Sequence, residues 1–180
     1  LQLDPGLAEA HFNAHTYWLE DGQLDRSIAC LEKAVKLAPK EDRYRFFLGM
    51  LLAYAGQSPQ AQTFLAFRAP SRMIASDIEA WAYIQSLNPK PKLLGHATSV
   101  FRMAMDQARE DGLVMEFGVY RGTSIRQIAA LARYDIHGFD SFEGIPEAWN
   151  NERAGSYSTE GVMPEVPANV HLHAGWFEDS

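Results

Sequence analysis

The sequence predicts a chain of two classes, α-helical repeats over residues 1–88 followed by an α/β region with a parallel sheet over residues 89–180. Three observations predict it. "LQLDPGLAEAHF" is echoed by "VKLAPKEDRYRF" with a period of 34, from Pro5 to Pro39. Two prolines in "LNPKPKLL" then interrupt the helical pattern, because a residue before proline is disfavoured in helix. Beyond them, apolar runs alternate with a helical segment and a long polar connection. That order requires crossovers and hence parallel strands.

The repeats come first. From Ala8, the marked positions of a tetratricopeptide repeat fall on Trp18, Gly22, Ser27, Leu31, Ala34 and Pro39. From Asp42 they fall on Leu48, Gly49, Leu52, Gly56, Ala61 and Leu65. Small residues there let paired helices approach, and large apolar ones fill the space between them. The region resembles tetratricopeptide repeats, with departures at His11 and Arg45, where the repeat has Trp, and at Pro70, three residues early. Two repeats are expected over residues 8–70, with a capping helix near 71–87. "LQLDP" reads as the tail of an earlier repeat, so the array is expected to extend upstream, and such an array implies a protein partner. His11 and His15 have chelating spacing, but no carboxylate or cysteine matches it, so packing is the expected role. The aromatics Phe12, Tyr17, Trp18, Tyr44, Phe46 and Phe47 are expected mostly in the core.

Composition narrows the function. A net charge of −7, with no cluster of Lys and Arg, argues against nucleic acid as a partner. Cys30 is the single cysteine, so no internal disulfide can form. No stretch reaches membrane-spanning length and no signal peptide is visible, which gives a cytoplasmic expectation.

After the linker "NPKPKLL", an amphipathic helix is expected over residues 93–109, with Leu94, Ala97, Val100, Phe101, Ala104 and Ala108 on one side. It would cover one face of the sheet. The apolar run from Leu113 to Glu116 reads as a buried strand. "GTSIRQIAALAR" follows with Ile125, Ile128, Ala129 and Ala132 at helical spacing, and Thr123 or Ser124 suits its cap. "YDIHGFD" is a second strand ending in Asp140. The Gly-, Ser- and Pro-rich residues 143–169 suggest a lid, and "NVHLHAGWF" is the third strand.

Ligand chemistry is read from the turn after the first strand. Gly118 and Gly122 let a backbone approach a ligand, and Asp140, 22 positions after Gly118, can take both hydroxyls of a ribose. A dinucleotide turn needs G-x-G-x-x-G, whereas here Tyr120 stands at the middle glycine. Glu116 upstream would repel a pyrophosphate and suit an ammonium or sulfonium. S-adenosylmethionine carries both cations and a ribose, and fits better than NAD.

"EFGVYRGTSIRQIA", "GFDSFEGIPEAW" and "NVHLHAGWFEDS", in that order, resemble the macrocin O-methyltransferase family of class I S-adenosylmethionine-dependent methyltransferases. The likeness covers about residues 93 to 180. It implies a Rossmann-like seven-stranded domain, of which this chain would hold the first half. It also implies methyl transfer to a hydroxyl of a sugar or natural product, commonly with Mg²⁺. Carried over, Glu116 and Gly118 would lie along the methionine part of the donor. Tyr120, Arg121, Gly122, Thr123 and Ser124 would surround its carboxylate. Asp140 would bind the ribose with Ser141 beside it, and Gly175, Trp176 and Phe177 would approach the adenine.

The family's fourth strand, with its metal-binding and basic aspartates, would follow Ser180, so neither a catalytic base nor a metal ligand is assigned. His171 and His173 share a strand face, and packing beneath helices is their expected role. Two other functions fit the residues less well: a repeat scaffold with a non-catalytic nucleotide-binding domain, and an NAD-dependent oxidoreductase.

Overall fold

The computed structural model describes residues 5–109, 111–150 and 152–179. The chain divides into two compact units, Leu1–Ala97 and Thr98–Ser180. The first is all helical, and the second contains a small parallel sheet. Most of "LQLDP", assigned to a preceding repeat, lies outside the described residues.

In the first unit, α1 (Ala8–Glu20) packs on α2 (Leu24–Leu37), and α3 (Asp42–Tyr54) packs on α2, on α4 (Ser58–Leu65) and on α5 (Arg72–Ser86). One turn serves both hairpins. Gly22 and Gly56 follow α1 and α3 with φ of 72° and 82°, a region glycine enters without steric cost. The Gln23 N–H donates to Trp18 O, and the Gln57 N–H to Leu52 O, at 2.8 Å each. These bonds satisfy carbonyls left free at the helix ends.

Small residues set the helix spacing. A Cβ on Gly49 would come within 2.7 Å of Leu65 Cγ, so α3 and α4 meet there. Ser27, fully buried, donates its hydroxyl to His15 O at 2.8 Å and joins α2 to α1. Around these contacts Phe12, Ile28, Leu31, Leu48 and Leu51 form the main core, and Phe46, Ile74 and Trp81 a second one between α3 and α5. Each fully buried leucine contributes about 1.5–3 kcal/mol. His11 and His15 are buried in this packing. His15 Nδ1 donates to the Phe12 carbonyl, and its ring lies against Phe12 and Phe47.

The second unit comprises α6 (Ala97–Gln107), β1 (Val114–Phe117), α7 (Thr123–Ala129), β2 (Ile136–Asp140) and β3 (Val170–Ala174). The strands are parallel in the order β1-β2-β3, with Val114 opposite Ile136 and Ile136 opposite Val170. Helix α7 covers one face. Its Ile125 and Ala129 pack with Val119, Ile136, Phe142 and Val170. A Cβ on Gly138 would lie 2.5 Å from Ile125 Cδ1, so glycine on β2 is what lets α7 sit so low.

Three expectations change. Helix α6 buries none of its residues and is tied to α7 through Thr98 Oγ1 donating to Gln127 Oε1 (2.6 Å), so α7 is the helix that covers the sheet. Neither Thr123 nor Ser124 caps α7. The N-cap is Gly122, at φ 73°, and makes no side-chain bond. The opposite sheet face, expected beneath helices, is open: Leu113, Met115 and Phe117 are 75%, 48% and 61% exposed, and His171 and His173 are exposed too. Among the described residues no helix is long and apolar enough to cross a membrane.

Candidate functional site

Strand order puts the C-terminal ends of β1, β2 and β3 side by side, where open parallel sheets bind ligands. A cleft of about 670 Å³ opens there, within the range of small-molecule sites. Gly118, Tyr120, Asp140, Ser141, Gly175 and Trp176, all singled out in the sequence, line it. Arg121 instead lines a neighbouring recess of about 430 Å³, with Ser158, Thr159 and Pro164, and its guanidinium lies over the Tyr120 ring. Tyr120 borders both.

The turn that shapes the cleft is wound tightly. Gly118, Tyr120 and Gly122 have φ of 87°, 50° and 73°. For a tyrosine this left-handed geometry costs of order 1–3 kcal/mol and persists only where surroundings hold it. Asp140 holds it here. Its Oδ2 accepts from the Tyr120 N–H (2.7 Å) and its Oδ1 from the Phe142 N–H (2.8 Å). One carboxylate thus links the turn after β1 to the turn after β2. Each oxygen keeps a further lone pair for a ligand hydroxyl.

Glu116, Gly122, Thr123 and Ser124 do not line the cleft. Alternation along β1 places Glu116 on the α7 side, where Oε1 accepts from Ser124 Oγ at 2.8 Å. Burial pushes the Glu116 carboxyl up, and the Ser124 bond offsets part of the shift. Gly122 is buried, and a Cβ there would meet Arg126 Nη1 at 2.9 Å and Pro164 Cγ at 3.2 Å. These residues support the turn from behind.

Phe177 of the third-strand block lines it too; Phe117, Gly144, Ile145, Pro146, Trp149, Tyr157 and Glu178 complete the lining, and none of these seven was singled out from sequence. The available signal was aromatic residues inside a Gly- and Pro-rich connection, where no core position calls for them. That connection is folded rather than loose. Phe142, 1% exposed, anchors it, and its carbonyl accepts from the Thr159 and Gly161 N–H groups at 3.0 Å each. The Ile145 N–H donates to Ser156 O (3.0 Å), and Trp149 and Glu152 exchange backbone bonds nearer the tip. Trp149 remains 67% exposed and Tyr157 52% exposed, with the Tyr157 ring edge-on to Tyr120 at 5.9 Å. The Glu152 carboxylate beside Tyr157 pushes its phenol up.

On the open sheet face, His137 from β2 joins His171 and His173. His137 Nδ1 lies 3.0 Å from His173 Nε2, and the two β3 rings stand 5.3 Å from the His137 ring. His171 Nε2 is 3.3 Å from Asp135 Oδ2. Among the described residues no group of three or more His, Cys, Asp or Glu side chains is arranged to hold a metal ion.

The cleft's electrical character is one-sided. Its acids are Asp140 and Glu178, and among the described residues that line it none is Lys or Arg. Six of its fourteen lining residues are aromatic: Phe117, Tyr120, Trp149, Tyr157, Trp176 and Phe177. Such a site suits a ligand with flat or apolar ring faces and a neutral or cationic charge. Compared with known protein families, curated proteins and solved structures, the chain matches none.

Proposed function

We propose that the second unit binds S-adenosylmethionine in this cleft as the donor half of a class I O-methyltransferase related to the macrocin O-methyltransferases. The acceptor is a hydroxyl of a sugar or natural product. The helical unit is read as tetratricopeptide-like repeats that engage a protein partner. One observation carries the donor reading: a ring-walled cleft at the strand ends whose charged lining groups are both carboxylates. A pyrophosphate would bring negative charge beside Asp140 and Glu178 with no Lys or Arg among the described residues that line the cleft, which disfavours NAD. A sulfonium nucleoside presents a positive centre and a purine face instead.

When bound, the donor supplies an electrophilic methyl group. The chain's part is positioning, through Gly118 and Tyr120 at the turn, Asp140 toward the ribose hydroxyls, and Trp176 and Phe177 toward the purine. Mg²⁺, which the resemblance implies, finds no ligand set among the described residues.

Calorimetric titration with S-adenosylhomocysteine, S-adenosylmethionine and NAD tests the reading. The adenosyl compounds are expected to bind with NAD weaker than either. Tighter binding of NAD, or no adenosyl binding at all, would overturn it.

A further inference from the structure

On the sheet face opposite α7, β2 and β3 carry half of the chain's six histidines. Parallel pairing sets His137 opposite His171 and Phe139 opposite His173, and alternation along each strand turns all four side chains to this face. His171 and His173 are exposed and His137 half-buried, so these imidazoles add little to packing.

Their nitrogens have different partners. His137 Nδ1 and His173 Nε2 face each other at 3.0 Å, with ring planes 25° apart. His171 is engaged elsewhere, its Nε2 lying 3.3 Å from Asp135 Oδ2. Two neutral imidazoles can meet through one proton, one nitrogen donating and the other accepting. The same separation serves a metal ion. At a Zn–N distance of about 2.0–2.1 Å, two nitrogens on one ion stand about 2.9 Å apart at a right angle and about 3.3 Å apart at the tetrahedral angle. The observed 3.0 Å lies between these limits. The ring torsion of histidine is soft, so the two lone pairs can tilt onto one point on the solvent side. Each neutral ring then keeps its proton on the other nitrogen, His137 on Nε2 and His173 on Nδ1.

We infer that His137 Nδ1 and His173 Nε2 chelate a divalent ion that prefers imidazole, Zn²⁺ or Cu²⁺, and so bridge β2 to β3. Among the described residues no third His, Cys, Asp or Glu is arranged to join them, so water fills the remaining positions. Imidazole suits these ions and not Mg²⁺. Paired strands hold the two ligands at a fixed spacing that the unfolded chain lacks, so the ion stabilises the folded second unit. Neither histidine lines the cleft, and the site stands or falls apart from the donor reading.

The test is calorimetric titration of the untagged full chain with ZnCl₂, CuCl₂ and MgCl₂ at about pH 7.5, where an ordinary imidazole is neutral. Cu²⁺ is expected to bind tighter than Zn²⁺, and Mg²⁺ not at all. His137→Asn and His173→Asn should each weaken Zn²⁺ by at least about tenfold, no less than the loss of a supporting residue costs at a metal site. His96→Asn, which removes an exposed histidine outside the sheet, should leave the affinity unchanged. In thermal melts Zn²⁺ should raise the transition of the wild type and of His96→Asn, and leave that of His137→Asn and His173→Asn where it was. No Zn²⁺ binding by the wild type would overturn the inference. So would equal affinity in the wild type and both sheet variants, an equal loss in His96→Asn, or Mg²⁺ binding as tight as Zn²⁺.

Discussion

Replacing Asp140 with alanine removes a carboxylate that accepts two backbone N–H bonds, from Tyr120 at 2.7 Å and Phe142 at 2.8 Å. Bonds to a charged group are worth roughly 1.5–3 kcal/mol each. Asp140 is only half-buried, and water can reach part of what is lost, so about 1 kcal/mol per bond is a fair discount. The strained φ of Tyr120 loses its restraint as well, and the total comes to about 2 kcal/mol. The second unit spans 83 residues, from 98 to 180, and a domain of that size shifts in Tm by about 4–8 °C per kcal/mol. The alanine variant should therefore melt roughly 8–16 °C below the wild type without any ligand. Near-ultraviolet circular dichroism follows that transition through Trp149, Trp176 and the neighbouring tyrosines. Affinity for S-adenosylhomocysteine should fall in parallel by roughly 10- to 150-fold, the equivalent of one lost charged hydrogen bond. A variant that melts within about 2 °C of the wild type would refute the claim that this carboxylate ties the two turns together.

Two pH dependences follow from burial. Glu116 has a carboxyl raised above its ordinary 4.5, so the stability linked to it is fully present below that value and lost as pH rises through the folded pKa. Glu116→Gln keeps an acceptor for Ser124 and should stabilise the second unit at pH 7, with the gain fading below about pH 4.5; thermal melts of both proteins across pH 4–8 check it, and a constant difference would count against it. His15 is shifted the other way, chiefly by burial, with the Phe12 bond opposing and Arg43 assisting. Its contribution is present above the ordinary 6.5 and lost as pH falls, so the helical unit should weaken below about pH 6.5. His15→Gln, which can still donate to the Phe12 carbonyl, should flatten that acid limb in far-ultraviolet melts, and an unchanged limb would place its cause elsewhere.

Patterns with a short period were legible in the residues alone. The 34-residue recurrence located Gly22 and Gly56, and both adopt the same left-handed turn with the same backbone bonds. Apolar spacing likewise located β1, α7, β2 and β3 in order, although α7 stops at Ala129 and β3 at Ala174, short of the expected ends at Arg133 and Phe177. The reason is that helix and strand each impose a period on which side chains are buried. The glycine turn and Asp140 were visible for the same reason, lying at strand ends.

Contacts between distant segments were not legible, because they depend on where the chain crosses itself. Asp140 turns its carboxylate to the Tyr120 and Phe142 N–H groups, a role that becomes visible only when the two strand ends lie adjacent. Trp149 and Tyr157 join the cleft because a hairpin anchored at Phe142 carries them there, and no period marks such residues. His137 meets His171 and His173 through the register of β2 on β3, not through spacing along the chain. The prolines of residues 87–94 signalled a break in helix correctly, but only tertiary contacts such as the approach of Gly95 to Thr16 and the Tyr54 bond to Pro91 O show that the broken segment is held on the helices. Local periodicity follows from backbone geometry. The pairing of far segments follows from packing, and packing leaves its mark on single residues such as Gly49, Gly95 and Gly138, whose missing side chains acquire meaning only beside their neighbours.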